Sequence, residues 1–288
     1  MKNPLAELRV QIDAIDDEIL SLLEKRSKVV YKVGEYKEKQ PVKVRPAREI
    51  QMNWNLAQKS IPAYPAPVLQ RIWREIITST LTIEGDFAVD VFFDEKNDLR
   101  TSLALWDLTR DHFGSWCPIY RSTDKIAMIE QLAKHEVELV VMPIKNISID
   151  PEPWWLYLAN RPKEAEWYPR IAFHLPFSGP SNSWAYHDIE ALVLSCATIE
   201  PSGHDETLFC IEVLKGDYGS FLQKIAMQDC VLIEKADPDK HKFSAALVKF
   251  DGYLVDNETI IAEFLSAFSD YEFKVTLLGT IGKTPEYI

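Results

Sequence analysis

A long run of apolar residues at helical spacing begins near the start of the chain and constrains the fold more than any other feature. Over residues 4–39 they recur every three or four positions: Leu5, Leu8, Ile12, Ile15, Ile19, Leu22, Leu23, Val29, Val30 and Val33. Asn3 and Pro4 suit the N-cap and the first helical position. At ~1.5 Å per residue the helix is about 50 Å long, which exceeds the width of a small domain. Because one copy cannot bury such a stripe, we expect pairing with a second copy.

Two shorter helices are predicted after the first. Residues 43–46 interrupt the apolar pattern, and a short helix is predicted over residues 48–59. The proline-rich residues 61–67 predict a loop. A third helix is predicted over residues 68–84, with its apolar stripe made by Leu69, Ile72, Trp73, Ile76, Ile77 and Leu81. Residues 1–85 therefore predict an all-α domain of three helices.

The positive charge of this acidic chain is concentrated in that helical region. Residues 1–85 carry 14 Lys and Arg against 11 Asp and Glu, while the whole chain of 288 residues has a net charge of −12. An acidic protein with a small basic region on helices is a candidate binder of a small anion. The acidic balance argues against a general nucleic-acid binder, whose domain is normally basic.

The spacing of three cations on the first helix indicates a binding site. Lys37 lies eleven residues after Arg26, so both project from one face. Arg9 lies seventeen residues before Arg26 and is rotated about 100° around the helix, so a partner copy is better placed to supply it. Each of the pairs Glu49 with Asn53 and Thr80 with Glu84 is four residues apart and shares a face. The alternative is that these are solvated charges on helix surfaces, as most Arg and Lys are.

Taken together, these features resemble a known family. Residues 3–85 resemble the all-helical chorismate mutases, in the form often fused to prephenate dehydratase. The resemblance rests on Leu8-Arg9, residues 12–16 (IDAID), residues 19–23 (ILSLL), Arg26, Val33-Gly34, Lys37, residues 45–50 (RPAREI), residues 72–77 (IWREII) and Thr80. It implies an intertwined three-helix homodimer. It also implies an isomerase that converts chorismate to prephenate by an intramolecular pericyclic rearrangement, without metal or cofactor.

The resemblance also assigns roles to the candidate residues. It implies that Arg26 and the partner's copy of Arg9 bind the substrate carboxylates, for which the guanidinium fork is suited. Lys37 donates to the ether oxygen and one carboxylate, and Glu49 orients the ring hydroxyl. Thr80 takes the place of the usual Ser near a carboxylate. Catalysis then consists of selecting the reactive conformer and directing donors at the developing charge.

Two departures from the family pattern affect the site. Met52-Asn53 stands where well-characterised members often have Arg-Glu, so one cation and one carboxylate are lost and weaker orientation of the substrate is expected. Glu84 stands where bacterial members usually have Gln, although related fungal mutases carry Glu there. An ionised Glu84 would oppose the developing oxyanion, so we expect burial to keep this carboxyl protonated, against the influence of Lys37. The alternative for Glu84 is a capping or surface residue.

The period of the sequence changes after residue 86. Strands are predicted at residues 87–93, around 118–120 and at 137–142. They alternate with one helix that ends near His112 and another that covers residues 124–134, which predicts a mainly parallel α/β sheet. The tryptophans and tyrosine at 154, 155, 167, 168 and 184 indicate either a pocket or, the interpretation we favour, packing under a loop-rich segment. Residues 205–282 read as strand, helix, strand, strand, helix, strand, the α+β ferredoxin-like order, and resemble an ACT regulatory module.

Residues 87–280 resemble a prephenate dehydratase with its regulatory tail. Four family motifs have their places taken by similar segments, at residues 142–146 (MPIKN), 202–207 (SGHDET), 233–238 (IEKADP) and 274–280. The catalytic signatures are missing, because the Gly-Pro-x-Gly-Thr loop reads FDEKN at 93–97 and the Thr-Arg-Phe motif reads IEA at 189–191. The segment before residue 189 is also about half its usual length, so one lobe is expected to be largely lost and dehydratase activity with it.

The sequence thus predicts a multidomain protein: a chorismate mutase domain at 1–85, a truncated dehydratase-like α/β domain at 86–195 and an ACT-like domain at 196–288. The alternative is a catalytically inactive mutase-like module that binds chorismate or an aromatic effector and regulates a partner. The tail has three open roles, namely sensing an aromatic amino acid, holding a larger assembly or docking on a partner. Four cysteines without metal-site spacing are read as reduced thiols, mostly buried, and the expected location is the cytoplasm, without nucleic-acid or membrane partners.

Overall fold

The computed structural model describes residues 4–36, 42–59, 61, 63–83, 85–145, 153–161, 168–177, 188–236, 244–255 and 258–285. The first three elements are helices, as predicted: α1 (Pro4–Tyr36), α2 (Pro46–Ala57) and α3 (Ala66–Ile83). Pro46 occupies the first turn of α2, where its missing N–H costs no hydrogen bond. No helix among these residues combines the length and apolarity needed to cross a bilayer.

The apolar stripe of α1 is exposed along most of its length in the single chain. Its members are half or more exposed at Leu5, Leu8, Ile12, Ile15, Ile19 and Leu22. Part of the stripe predicted on α3 is exposed as well, since Ile72 faces solvent while Gln70, Arg74 and Thr78 are buried. Ile77 and Leu81 of the same stripe are buried. The buried face of α3 therefore includes polar residues, and these meet other buried polar groups.

The predicted alternation of strands and helices is confirmed in the next segment. Its elements are β1 (Val89–Phe92), α4 (Leu99–Phe113), β2 (Ile119–Ser122), α5 (Lys125–Ala133) and β3 (Leu139–Pro143). The three strands are parallel in the order β2-β1-β3. Asp98 and Asp124 cap α4 and α5 by accepting hydrogen bonds from first-turn N–H groups.

Three further elements lie in and just after the segment that looked irregular in the sequence. They are α6 (Trp154–Asn160), β4 (Arg170–Leu175) and β5 (Ala191–Ser195). β5 is antiparallel to β3, and β4 is antiparallel to β5. Trp154, Trp155 and Tyr168 are buried, which confirms packing as their role, whereas Trp167 and Trp184 lie outside the described residues.

The C-terminal segment has the predicted ferredoxin-like order of elements. It comprises β6 (Asp205–Lys215), α7 (Tyr218–Ile225), β7 (Val231–Ala236), β8 (Ala245–Asp251), α8 (Glu258–Ser266) and β9 (Glu272–Gly282). These strands pair in the order β9-β6-β8-β7, and β9 also pairs with β4. At that junction Gly279 has a φ of 151°, and a Cβ there would collide with the backbone of Ile171. All nine strands of the described residues consequently form one sheet.

The helices α2 and α3 are packed on this sheet by a shared apolar core. Ile50 of α2 and Ile77 of α3 belong to the same buried cluster as Leu278 and Ile281 of β9. Trp54 donates from Nε1 to the carbonyl oxygen of Lys283 over 3.0 Å and stacks on His204 at 3.9 Å between ring centroids. The core continues across the predicted limits at residues 85 and 195, and the sheet continues across the second, so those limits stay predictions.

Candidate active site

Arg26 and Thr80 connect the first and third helices at the predicted anion site. Arg26 is half-buried on α1, and its Nη1 lies 3.5 Å from Thr80 Oγ1 on α3. Partial burial lowers the pKa of the Arg26 guanidinium because it penalises the charged form. A guanidinium nevertheless stays protonated at neutral pH, so this position keeps a permanent cation.

The Thr80 hydroxyl is oriented by its own helix. It donates within α3, with Oγ1 2.6 Å from the Ile77 carbonyl oxygen and 3.1 Å from that of Ile76. Because a hydroxyl has one proton and two lone pairs, this bond leaves its oxygen free to accept from Arg26. The two residues thus form a half-buried cation and an oriented hydroxyl at the contact of α1 with α3.

Arg9 cannot reach the same ligand from the same chain. It lies on the exposed N-terminal half of α1, seventeen residues before Arg26, which is about 25 Å along a helix axis. An Arg side chain is far shorter than that distance. The expected participation of Arg9 therefore requires another copy of the chain.

Two of the predicted site residues, Lys37 and Glu84, lie outside the described residues. α1 is described to Tyr36 and α3 to Ile83, so each residue directly follows a described helix. Their roles stay predictions.

Glu49 on α2 is held by a cation that the sequence reasoning did not identify. Arg74 Nη1 donates to Glu49 Oε2 over 2.5 Å, and both side chains are at most 7% exposed. Arg74 Nε also donates to the carbonyl oxygen of His112 over 2.8 Å, and its guanidinium lies about 6 Å from the ring centroids of Phe113 and Phe177. The carboxylate of Glu49 is consequently part of a buried contact between the helices and the sheet domain.

Asn53 also belongs to the buried contact between the helices and the sheet domain. Its Nδ2 donates to the Phe177 carbonyl oxygen over 3.2 Å, and its backbone oxygen accepts from Gln70 Nε2. Arg74 and Thr80 are six residues apart and so project about 120° apart around α3. The structure therefore brings Arg26 and Thr80 together on one side of α3 and places Glu49 with Arg74 on another.

His112 completes the buried polar cluster. Burial lowers the pKa of its imidazole well below the usual range, and the charge of Arg74 acts in the same direction. His112 Nε2, Arg74 Nη2 and Thr78 Oγ1 are buried and have no hydrogen-bond partner among the described residues. A sign of this cluster in the sequence is that Gln70, Arg74 and Thr78 recur at four-residue spacing, which marks a polar stripe on α3.

The structure describes part of the C-terminal motif at residues 233–238. Residues 233–236 belong to β7, and positions 237 and 238 of the same motif lie outside the described residues. Gly219 lies in the first turn of α7, where Asp217 caps the helix by accepting from the Ser220 N–H over 2.7 Å. Three of the four cysteines are buried and all four are free thiols.

Comparisons with known proteins match the helical region of the chain to a family model. The family model described as chorismate mutase type II matches residues 8–85, which confirms the resemblance of the helical region. This stretch includes the seven predicted site residues, among them Lys37 and Glu84. A bifunctional chorismate mutase/prephenate dehydratase of Aquifex aeolicus is 38% identical over 91 residues, which is 30% of this chain and 25% of that relative. The match thus spans a quarter of the relative's length.

Solved structures resemble the rest of the chain distantly. A prephenate dehydratase from Streptococcus mutans is 12% identical with a TM-score of 0.40, over 69% of this chain and 100% of that one. A prephenate dehydratase from Arthrobacter aurescens, in complex with L-Phe, is 12% identical with a TM-score of 0.44, over 70% of this chain and 93% of that one.

Proposed function

We propose that residues 8–85 form a chorismate mutase, an isomerase that rearranges chorismate to prephenate in a homodimer. The observation that carries this proposal is the contact of Arg26 with Thr80, inside the segment that the family model matches. A half-buried, permanently charged guanidinium beside an oriented hydroxyl suits a carboxylate ligand.

The proposed mechanism uses binding and electrostatics alone. The substrate is a dianion that must fold its side chain over its ring. Arg26 and the partner's copy of Arg9 would clamp its two carboxylates in that folded conformer, which removes an entropic part of the barrier. Lys37 would donate to the ether oxygen as the C–O bond breaks, and a protonated Glu84 would donate to the same oxygen.

The dimer is supported by the apolar surfaces that the single chain leaves uncovered. The stripe of α1 and Ile72 of α3 are exposed together, and an exposed apolar surface of that length indicates an interface. The partner would supply Arg9, which cannot reach the Arg26 site of its own chain.

Glu49 and Asn53 are proposed to contribute less than in other members of the family. Arg74 donates a hydrogen bond to Oε2 of Glu49, and Asn53 donates one to the Phe177 carbonyl oxygen in the sheet domain. A carboxylate has two oxygens, so Oε1 of Glu49 keeps the capacity to accept from the substrate's ring hydroxyl. We expect this contact to affect the affinity for chorismate more than the rate of rearrangement.

We also propose that dehydratase activity is lost. Residues 93–97 and 189–191 lack the residue types of the catalytic signatures, and all strands of the described residues belong to one sheet. We further propose an ACT-like effector site for an aromatic amino acid in residues 196–288, and a cytoplasmic location for the protein. The ferredoxin-like strand order supports the ACT-like assignment.

The second candidate function is an inactive regulatory module that binds chorismate or an aromatic effector. It is favoured by one observation: Glu49 and Asn53, two of the expected substrate contacts, are buried in the contact with the sheet domain. If α2 serves only to dock the helices, the remaining cations would bind an anion without accelerating its rearrangement.

The decisive experiment follows the loss of chorismate absorbance with purified full-length protein, at about pH 5.5 and about pH 8. Acid conversion of the product to phenylpyruvate identifies prephenate. We expect turnover that Arg26→Ala abolishes and that Lys28→Ala retains, because Lys28 pairs with Glu24 on the exposed surface of α1. Binding of chorismate without turnover at either pH would favour the regulatory module instead.

A further inference from the structure

A cavity of about 160 Å³ lies on the sheet domain, outside the proposed mutase site. It is lined by the first turn of α4, the end of β3 with the two residues after it, and residues 188–190 just before β5. It is smaller than the pockets of about 300–1,000 Å³ that hold drug-sized ligands, so its occupant must be a small molecule.

The cavity lies where the topology of a parallel sheet favours ligand binding. β1 stands between β2 and β3, so the chain leaves β1 on one side through α4 and returns to its other side through α5. The crevice at the carboxyl ends of β1 and β3 is therefore a topological switch point, the usual ligand position in open α/β sheets. The cavity is lined by the end of β3, through Pro143, and by the start of α4, the helix that follows β1.

The charges around the cavity are of both signs. Arg100 Nη2 lies 2.5 Å from Asp188 Oδ1, and both side chains are about half exposed. An ion pair this exposed contributes little to stability, so a ligand can exchange with either partner at small cost. Glu190 is hydrogen-bonded by His174 across 3.3 Å, which lowers the pKa of its carboxyl and keeps it ionised.

The balance of these charges selects a class of ligand. Three acidic residues (Asp98, Asp188 and Glu190) and two basic ones (Arg100 and Lys145) line the cavity, so a dianion such as prephenate is disfavoured and a zwitterion finds partners for both of its charges. Pro143, Ile144, Ile189 and Thr101 complete the lining. They provide contact for a short apolar side chain.

We propose that this cavity binds an α-amino acid with a short apolar side chain. Lys145 and Arg100 would hold its carboxylate, and Asp188 and Glu190 would hold its ammonium group. Residues 142–146 and 189–191 are the positions where dehydratase motifs are replaced in this chain. The binding site is independent of the mutase proposal and of the effector site proposed for residues 196–288.

The test is isothermal titration of the full-length protein with L-alanine, L-valine, L-leucine, L-phenylalanine and prephenate. We expect an aliphatic amino acid to bind, and Lys145→Ala and Asp188→Asn each to weaken that binding about tenfold, because each removes a charge-assisted hydrogen bond. The control variant is Lys134→Ala, an exposed lysine directly after α5, which should bind aliphatic amino acids as the wild type does. Lys235→Ala, an exposed lysine of β7, probes the effector site proposed for residues 196–288.

Three results would overturn the proposal. Binding that Lys235→Ala weakens and Lys145→Ala does not would place the amino acid in the C-terminal segment. Binding of prephenate that depends on Lys145 would assign the cavity to a dianion. No binding of L-alanine, L-valine or L-leucine would exclude the proposed site, while chorismate turnover, measured separately, would be unaffected by that outcome.

Discussion

Arg74 Nη1 and Glu49 Oε2 lie 2.5 Å apart at the junction of α3, α2 and the sheet domain, with both side chains buried. Removing the cation leaves a buried carboxylate without its partner, which is far costlier than removing an exposed charge. We expect Arg74→Met to lower the free energy of unfolding by about 3–5 kcal/mol in urea denaturation.

The control for this variant is Arg71→Met. Arg71 pairs with Asp111 at 3.5 Å with both side chains about one third exposed, so its loss should change the unfolding free energy by less than about 1 kcal/mol. Adding Glu49→Gln to Arg74→Met should recover part of the stability, because it removes the uncompensated charge. Equal losses in Arg71→Met and Arg74→Met would contradict the importance of the buried pair.

His112 should make stability depend on pH. Its pKa is depressed in the folded protein, so the unfolded chain binds a proton that the folded chain does not as pH falls below about 6.5. The free energy of unfolding therefore decreases from pH 7 toward pH 5, by at most about 1.4 kcal/mol per pH unit from this group. Urea denaturation across this range should show a flatter profile in His112→Gln, and a profile that is unchanged in the variant would assign the effect to other groups.

Mixing two inactive variants tests the shared site of the proposed dimer. Arg9→Ala and Arg26→Ala should each abolish chorismate turnover. In an equal mixture that has been unfolded and refolded, half of the dimers are hybrids, and each hybrid has one site with both arginines intact. Turnover should then recover to about a quarter of the wild-type rate. No recovery, with hybrids shown to form, would mean that both arginines act within one chain, whereas turnover by Arg9→Ala alone would mean that Arg9 is dispensable.

Glu84 should give the mutase rate a distinctive pH profile. If it donates as a neutral acid, the rate declines toward high pH as the carboxyl ionises and its charge opposes the developing oxyanion. The rate of Glu84→Gln should vary less with pH, because an amide donates in either range. Glu95→Gln, in the exposed turn after β1, serves as the control and should keep the wild-type profile. Retention of the high-pH decline in Glu84→Gln would exclude this role.

The sequence alone determined the elements whose patterns are local. The length of α1 and its exposed stripe, the parallel strands β1 to β3 and the order of β6 to β9 follow from periodicities within short windows. Through the family resemblance the sequence also placed both Arg26 and Thr80 near a substrate carboxylate, because order and spacing are retained along residues 3–85. The contact between their side chains was seen only in the structure.

Tertiary structure decided what depends on contacts between distant segments. β4 (RIAFHL) and β5 (ALVLS) are short, mainly apolar segments, which periodicity alone cannot distinguish from buried helix or loop. Arg74 of α3 contacts both Glu49 of α2 and the His112 carbonyl oxygen of α4, so this cluster joins three helices. No local pattern encodes which buried cation meets which buried carboxylate. Burial of a charge is stable only when such a partner is in place, so the roles of Glu49 and Asn53 were set by the packing of α2 and α3 on the sheet.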